Sequence, residues 1–452
     1  MRDVKDLVGD EGLPNPYDDA GILRRYREAG GDLSEVIYLS LGETWCRAAP
    51  GLRNALAASL PPHCHGYSLS PYGFPALHSV LRTYITDTHQ LETVAELGTD
   101  YEVAVSQCST RNTMFHFGRL LVEESQEANA GKRIVIASTP GWDYTGVYTA
   151  LGFEMRYFNV TSHTSYQPDH EEIHGLLRKA RGDTDGPVLL VVNAQHNPTG
   201  ANWYPSTVRA MIRSAVATGA CILVDDAYYA VHNPDTTPTN TLRILLEELN
   251  PLPLEHRPRW LAVRSLGKQF HCNGWGIGAL TAGSETVERL VTHLLPQYTY
   301  VSAIPLQAAM AAWLCDVSSE TYLARQRAEY AAKRLHVTRR LTHDLGYPQS
   351  AFFPGECAAY LLMRIPPWCA RGPHGEPRDF RVHCLARTGV LLGEAHMTTP
   401  GRLPNDSRGY VRLYLGTAPE VLDEALVRIR EAGLTWNQPS VAGLSAAKTM
   451  EE

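Results

Sequence analysis

Three short motifs, each following an apolar run, carry residue types suited to chemistry on a carbonyl compound. Lys268 stands three residues after Ser265, and Asp225 stands three residues before Tyr228. Asn197 opens an Asn-Pro-Thr-Gly turn. A lysine on a loop after a buried strand can form a Schiff base with an aldehyde and then move protons, because partial burial and a nearby cation lower its pKa. Since an aspartate can hold a ring nitrogen in its protonated form, the three motifs together indicate imine chemistry at one site.

A parallel sheet is the element expected to bring these motifs together. Between about residues 132 and 263 the chain alternates short β-branched runs with helical stretches, which is typical of βαβ units. The predicted buried strands are 133–137, 188–192, 221–224 and 260–263. The last three lead directly into the three motifs, and ligands on such sheets bind beyond the carboxyl ends of the strands. The pattern therefore predicts an α/β fold with its site at that edge of the sheet.

The order of the motifs resembles the class I/II aminotransferase family, which consists of fold-type I enzymes that use pyridoxal 5′-phosphate (PLP). The resemblance covers about residues 36–436. It implies an α/β fold with a large PLP-binding domain, built on a mixed, mostly parallel sheet, and a smaller α+β C-terminal domain. A helical pattern over 321–345 predicts the connector into the small domain. We expect an N-terminal segment over 1–45, the large domain over 46–318, the small domain over 319–437 and a flexible tail over 438–452.

PLP is the cofactor that the resemblance implies, and it assigns a role to each motif residue. Lys268 carries the Schiff base and Asp225 lies against the pyridine nitrogen. Tyr228 and Asn197 donate hydrogen bonds to the ring O3′. Lys268, Asp225 and Tyr228 are thus the expected catalytic residues. The full set assigned to the cofactor is Tyr67, Cys108, Ser109, Thr110, Trp142, Asn197, Asp225, Tyr228, Ser265 and Lys268.

Other members of this set are expected at the phosphate and at the face of the ring. Cys108, Ser109 and Thr110 begin a predicted helix, and the N–H groups and dipole at a helix N-terminus favour a phosphate. The resemblance implies that Trp142 stacks on the pyridine ring. It also implies that Tyr67 reaches the phosphate of a neighbouring subunit, in a homodimer with shared active sites. Taken singly, these residues are more commonly a helix cap, a core tryptophan and a packing tyrosine.

The substrate side of the site is expected to come from both ends of the chain. Arg412 lies in a strand-like run that resembles the family segment whose arginine binds the substrate α-carboxylate, and bidentate pairing would supply both charge and orientation. Gly42 and Glu43 lie in a run that resembles the family segment covering the substrate. Glu43 could contact a cationic substrate group, although a solvated or capping carboxylate is an equal alternative.

One position departs from the family pattern. Typical members carry Gly-x-Arg-x-Gly after the lysine, with the arginine on the phosphate, whereas this chain has Gly276 at the position of the arginine. Losing that cation should weaken cofactor binding by about 1.5–3 kcal/mol unless another group compensates. Arg111, Arg264 or His271 could take its place. Alternatively, the missing side chain leaves space for part of a bulky substrate.

A second peculiarity is the long stretch His232–Arg259, which is rich in Pro, Thr and Asn. Loops of this kind often shape substrate access, although a surface elaboration is the alternative. Together with Gly276, the stretch favours an active site shaped for a large substrate. Common proteinogenic amino acids are therefore expected to be poor substrates.

The composition is that of an ordinary globular protein. The chain has 452 residues with 44% hydrophobic and 20% charged content, enough for a large and a smaller domain. A net charge of −7 and the absence of a basic stripe argue against a nucleic-acid partner. The charged N-terminus lacks a signal-like apolar segment and no run could span a membrane, so we expect a cytoplasmic protein. Nine scattered cysteines without a C-x-x-C pair predict reduced thiols and no metal site.

The sequence therefore predicts a PLP-dependent, aminotransferase-like enzyme that acts at Cα of an amino acid through Lys268. The alternative keeps the cofactor but catalyses β- or γ-elimination, replacement or cyclisation, for example on S-adenosylmethionine. A non-catalytic ligand-sensing module is a more remote reading. It would need a DNA-binding domain ahead of the fold, and the roughly 35 residues before Val36 are too few for one and are acidic besides.

Overall fold

A seven-stranded sheet lies at the centre of the structure, a computed structural model that describes residues 19–41, 48–58, 61–127, 131–370, 377–395 and 409–437. Within these ranges the strands are β1 (Ile37–Leu39), β2 (Glu102–Ser106), β3 (Arg133–Thr139), β4 (Phe153–Asn159), β5 (Val188–Val192), β6 (Cys221–Asp225), β7 (Trp260–Ser265), β8 (Gly278–Ala282), β9 (Phe352–Phe353), β10 (Tyr360–Arg364), β11 (Val390–Glu394) and β12 (Tyr410–Tyr414). The large sheet has the order β2-β8-β7-β6-β5-β3-β4. Strand β8 runs antiparallel to both of its neighbours, and the other adjacent pairs are parallel. The predicted mixed, mostly parallel sheet is confirmed.

Helices cover both faces of this sheet. Over the whole described chain the helices, including those that pack against the second sheet, are α1 (Asp19–Glu28), α2 (Pro50–Ala57), α3 (Pro75–His89), α4 (Ser109–Glu127), α5 (Tyr144–Tyr148), α6 (His170–Asp183), α7 (Pro205–Ala217), α8 (Thr241–Leu249), α9 (Leu266–Phe270), α10 (Ser284–Arg289), α11 (Ile304–Leu314), α12 (Ser318–His343), α13 (Pro367–Ala370), α14 (Pro377–Thr388) and α15 (Pro419–Glu431). Several begin with a proline, whose fixed φ suits the first helical turn and whose missing N–H is not needed there. The long helix predicted over 321–345 is α12.

The central strand β5 shows how the sequence produces this layered core. All five of its residues are buried. Leu190 and Val192 pack into one hydrophobic cluster, and Leu189 and Val191 into another, because successive side chains of a strand point to opposite faces. A continuous apolar run is thus what a strand covered by helices on both faces requires.

A second, five-stranded sheet has the order β1-β11-β12-β10-β9. Strand β1 pairs in parallel with β11, and the other adjacent pairs are antiparallel. The N-terminal segment therefore contributes a strand to a sheet otherwise made of residues beyond 351. The domain boundaries at 45, 318 and 437 stay predictions.

The stretch His232–Arg259, whose composition indicated a loop, contains an ordered helix. In His232–Arg259, helix α8 buries Leu242, Leu245 and Leu249 in the main core, so this stretch belongs to the layer that covers the sheet. The spacing of the leucines in α8 is typical of a helix with one buried face, but the high proline content of the stretch indicated a loop.

No helix among the described residues has the length and apolar character needed to cross a membrane. The eight cysteines that the structure describes are all free thiols, and five of them are buried.

Candidate active site

A cavity of about 240 Å³ lies at the carboxyl ends of the central parallel strands. Eight of the ten residues assigned to the cofactor line it: Ser109, Thr110, Trp142, Asn197, Asp225, Tyr228, Ser265 and Lys268. Asp225 and Ser265 are the last residues of β6 and β7, and the others come from the segments that follow β2, β3, β5, β6 and β7. The other lining residues are Leu41, Arg111, Met114, Asn193, Ala227, Gly267, Asn273, Gly276, Ile277 and Tyr360. The structure thus brings the three motifs to one place, as the sheet topology predicted.

Lys268 lies on a short helix directly after strand β7. Ser265 caps this helix, since its Oγ accepts a hydrogen bond from the Lys268 backbone N at 3.4 Å. The Lys268 Nζ lies 5.9 Å from the centroid of the Tyr228 ring. The cap and the strand end fix the backbone, so the amine projects into the cavity from a defined position.

Asp225 is the last residue of β6 and faces the same cavity. Its Oδ2 accepts a hydrogen bond from the Tyr144 hydroxyl at 2.7 Å, and its Oδ1 accepts one from the Ala227 N at 3.3 Å. Burial raises the pKa of Asp225, while the bond from Tyr144 and the nearby Lys268 amine lower it. A buried carboxylate of this kind is stabilised by a cationic N–H, which fits a protonated pyridine ring. Sequence reasoning missed Tyr144, two residues after Trp142.

Asp226, the next residue, points away from the cavity, because successive side chains of an extended strand end point to opposite sides. Its side chain is only 2% exposed, and within the described residues neither carboxylate oxygen has a hydrogen-bond partner. The pKa of Asp226 is raised to about 7, chiefly by burial; the charge of Arg264 lowers it and the charge of Asp225 raises it, and both effects are contained in that value. Holding this charge inside the protein opposes folding at neutral pH.

We predict that Asp226→Asn stabilises the cofactor-free protein at high pH. Between pH 4 and 7 the unfolded carboxyl is ionised while the folded one keeps its proton, so wild-type stability falls as the pH rises. The difference in free energy of unfolding between variant and wild type should widen by on the order of 2–3 kcal/mol from pH 5 to pH 8. Urea unfolding of both proteins at the two pH values measures it. A difference independent of pH would show that Asp226 is ionised throughout.

Arg412, on strand β12, is buried to 1% exposure beside the cavity. Its Nη1 donates to the Asn197 Oδ1 at 3.1 Å, and its Nη2 donates to the Ser40 carbonyl at 2.9 Å. The guanidinium lies 4.0 Å from the centroid of the Tyr360 ring. Because the Asn197 Oδ1 accepts a hydrogen bond from Arg412, the N–H groups of the Asn197 amide point away from Arg412. This is the orientation that a hydrogen-bond donor to the ring O3′ requires.

Tyr360 joins this arginine to the predicted tyrosine. The hydroxyls of Tyr360 and Tyr228 lie 2.6 Å apart. Tyr360 belongs to β10, the strand paired with β12, so its position followed from a long-range pairing that no local motif signals. The hydrogen-bonded pair orders the phenol of Tyr228 at the wall of the cavity.

Gly393 is needed for the close approach of the N-terminal segment to Arg412. A Cβ atom at Gly393 would lie 2.7 Å from the Ser40 carbonyl oxygen and 3.2 Å from the Arg412 Nε. A larger residue would therefore displace either the segment or the guanidinium. The predicted substrate residues Gly42 and Glu43, which follow Ser40, lie outside the described residues.

The expected phosphate loop begins helix α4. Ser109 and Thr110 line the cavity, but the Cys108 side chain does not, because its Sγ faces the Ser302 Oγ at 3.8 Å. Cys108 and Ser109 both adopt positive φ, 55° and 74°. The Ser109 N–H donates to the Gly276 carbonyl at 2.8 Å, which removes one backbone donor from the expected set. Thr110 and Ser265 remain as hydroxyl donors to an anion at this end.

Gly276 adopts a left-handed conformation with φ of 62°. A Cβ atom there would lie 3.2 Å from the Ser109 N, so a side chain would be strained. Of the three cations considered as substitutes for the missing arginine, Arg111 alone lines the cavity. Arg264 donates to Gln269 and contacts His89 at 3.0 Å, and His271 pairs with Tyr322 and Tyr330, so both belong to buried networks elsewhere.

Trp142 and Tyr67 lie in different settings. Trp142 lines the cavity, where stacking on a planar ring is possible. Tyr67 is 82% exposed, does not line the cavity, and contacts Tyr300, also exposed, at a ring separation of 5.8 Å. The described residues of one chain therefore give Tyr67 no place at the cofactor.

The stretch His232–Arg259 contributes no residue to the cavity lining. The expectation that it shapes substrate access is not supported, because its apolar residues hold it against the sheet instead.

Comparisons with known proteins agree with this architecture. Among curated proteins, an L-glutamine–4-(methylsulfanyl)-2-oxobutanoate aminotransferase of Bacillus subtilis is 25% identical over 320 residues, which is 69% of this chain and 70% of that protein. An aspartate aminotransferase of Sulfolobus acidocaldarius is 22% identical over 314 residues, 67% of this chain and 69% of that protein.

Solved structures show the same fold. Thermus thermophilus aspartate aminotransferase with maleate superposes with a TM-score of 0.72 at 21% identity, over 93% of this chain and 97% of that one. Substrate-bound BacF from Bacillus subtilis gives a TM-score of 0.74 at 19% identity, over 97% and 100%. The predicted fold-type I architecture is thus confirmed. The sequence model for aminotransferase class I and II matches residues 54–429, and the chain therefore belongs to that family.

Proposed function

We propose that this protein is a PLP-dependent enzyme that transfers the amino group of an amino acid, with Lys268 as the residue that bonds to the cofactor. The observation that carries the proposal is one cavity lined by Lys268, Asp225 and Asn197, with Arg412 bonded to that asparagine. A primary amine, a buried carboxylate and a guanidinium at these positions match the aldehyde, the ring nitrogen and a substrate carboxylate. Membership of the aminotransferase family supports the same reaction.

The residues present fit PLP in three respects. Asp225 provides a buried carboxylate whose pKa is raised by burial and which a ring N–H would stabilise. Trp142 offers a planar face, and Thr110 with Ser265 offers hydroxyls near the N-terminus of a 19-residue helix. When bound, PLP supplies an electron sink for the bonds at the substrate Cα.

Lys268 has two tasks in this proposal. Its Nζ would hold the cofactor through the aldehyde, and as an amine beside the substrate it would carry a proton at Cα. Tyr228, held by Tyr360, and Asn197, held by Arg412, would donate hydrogen bonds to the ring O3′. The chain thus fixes each of these groups through a partner of its own.

Arg412 is the proposed anchor for the substrate α-carboxylate. A guanidinium presents its N–H groups in a planar fork that matches a carboxylate, and burial strengthens this pairing. The Ser40 carbonyl, which now accepts from Arg412, belongs to the segment that leads to Gly42 and Glu43. Substrate binding and the position of this segment are therefore coupled in the proposal.

A homodimer is part of the proposal because an exposed apolar patch lies near the phosphate end. Tyr67, Leu69 and Tyr300 are exposed to 82%, 98% and 73%, and Ser302, two residues beyond Tyr300, contacts Cys108. Aromatic residues exposed in this way favour a protein partner, and a second copy would bring Tyr67 to a site that its own chain does not offer. A cytoplasmic location stays a prediction.

The substrate is not indicated by the relatives, whose names include glutamine, aspartate and aromatic amino acids. The expectation of an unusually large substrate now depends on Gly276 alone, because the stretch His232–Arg259 lies away from the cavity. The prediction that common amino acids are poor substrates therefore depends on Gly276 as well.

The experiment is a panel of amino acids, including S-adenosylmethionine, added to the holoenzyme with and without a keto acid. A transaminase leaves the amino group on the cofactor, so we expect the absorbance to shift to that of the pyridoxamine form and product to stop at one equivalent. A keto acid should restore turnover, and product masses should show an exchanged amino group.

The opposite result has a clear meaning. Continuous turnover without a keto acid, with loss of a Cβ or Cγ substituent, would replace aminotransfer by elimination, replacement or cyclisation. Efficient turnover of aspartate, alanine or an aromatic amino acid would refute the specialised substrate while leaving aminotransfer in place.

A further inference from the structure

We propose that Arg111 supplies the cation that binds the cofactor phosphate, in place of the arginine that typical family members carry at the position of Gly276. This inference rests on the proposed function, because it concerns a residue that holds PLP. Arg111 lies in the first turn of α4. The family pattern instead places the phosphate-binding arginine in the motif after the lysine.

The backbone at Gly276 explains why the usual position cannot be used. Its φ of 62° lies in the left-handed region, where a residue with a side chain is strained. Its carbonyl accepts the Ser109 N–H at 2.8 Å, and an added Cβ would press on that same nitrogen at 3.2 Å. An arginine at 276 would therefore disturb the loop that it is meant to assist.

Arg111 is the cation best placed to compensate. Among the described residues that line the cavity, the cationic side chains are Arg111 and Lys268, and Lys268 is reserved for the aldehyde. Arg111 follows Ser109 and Thr110 directly, so all three side chains leave the same helical turn at the phosphate end. A guanidinium there can pair with phosphate oxygens through its fork of N–H groups.

Asp143 and Trp142 hold the Arg111 side chain in position. The Arg111 Nη2 donates to the Asp143 Oδ2 at 2.7 Å, and the guanidinium carbon lies 4.6 Å from the Trp142 ring centroid. Asp143 is itself buried and accepts from the Gly146 N at 2.8 Å, as the cap of α5. The guanidinium is therefore ordered before any ligand binds, which reduces the entropy lost on binding.

The test compares two ligands that differ only in the phosphate. Apoenzyme is titrated with PLP and with pyridoxal, and dissociation constants are measured by absorbance for wild type, Arg111→Met and Arg111→Lys. We expect Arg111→Met to weaken PLP binding by about 10- to 100-fold and to leave pyridoxal binding unchanged. Arg111→Lys should recover part of the loss, and inorganic phosphate should compete with PLP less well in Arg111→Met than in wild type.

A matched control is available on the same helix. Arg119 lies two turns further along α4, pairs with Glu123 and Gln297, and does not line the cavity. Arg119→Met should leave the affinities for both ligands unchanged.

The outcomes separate the alternatives. Equal weakening of PLP and pyridoxal in Arg111→Met would show that Arg111 only supports Trp142, and would overturn the inference. Unchanged PLP affinity would overturn it too. A wild-type protein that binds neither ligand would instead refute the proposed function itself.

Discussion

Replacing Lys268 with alanine should lower turnover by about 10⁴-fold or more while the protein still folds and binds PLP weakly. The lysine is proposed both to bond to the cofactor and to carry a proton at the substrate Cα, and alanine can do neither. Folding should persist because the Ser265 cap bonds to the backbone N of residue 268, not to its side chain. Single-turnover and steady-state rates, with melting temperatures beside them, measure both expectations.

An exposed lysine provides the control for this change. Lys179 lies on the outer face of α6, away from the cavity, so Lys179→Ala should keep wild-type rates. A Lys268→Ala protein that retains more than about a tenth of the wild-type rate would rule out a proton-transfer role, which is ordinarily worth about 10²–10⁴-fold.

Replacing Arg412 with glutamine should remove the ability to distinguish an amino acid from its amide. The proposed contact of Arg412 is with the substrate carboxylate, so affinity for the amino acid should fall by about 30- to 1,000-fold while affinity for the amide changes little. Cofactor affinity should change much less, although Asn197 loses a hydrogen-bond partner. Titration of the holoenzyme with both ligands gives the four dissociation constants.

Arg412→Lys is the matched variant, because it keeps the charge and loses the planar fork. It should lie between wild type and Arg412→Gln in its preference for the carboxylate. If all three proteins showed the same preference for acid over amide, the carboxylate would have to bind elsewhere, and Arg412 would be a structural residue that orders Asn197 and Ser40.

The convergence of the motifs could be predicted because it depends on local patterns and one rule of topology. Apolar runs such as Val188–Val192 identify buried parallel strands, and the residues that follow them meet at one edge of the sheet. Asp225 and Lys268 were found in this way, and the structure brings both to the cavity.

The partners of these residues could not be predicted, since they come from distant parts of the chain. Tyr144 reaches Asp225 across 81 positions, and Tyr360 reaches Tyr228 across 132. The composition of His232–Arg259 wrongly indicated a loop, because its prolines suggested no regular structure although its leucines have the spacing of helix α8. The direction of the Cys108 side chain depends on a positive φ that no residue type at that position demands.

The central claim is that Lys268 bonds covalently to PLP, and one measurement tests it directly. Holoenzyme is reduced with borohydride, digested, and its peptides are sequenced by mass spectrometry. The account predicts one pyridoxyl group per chain, attached to the Nζ of Lys268. A pyridoxyl group on any other lysine, or none on a protein that binds PLP with high affinity, would contradict it.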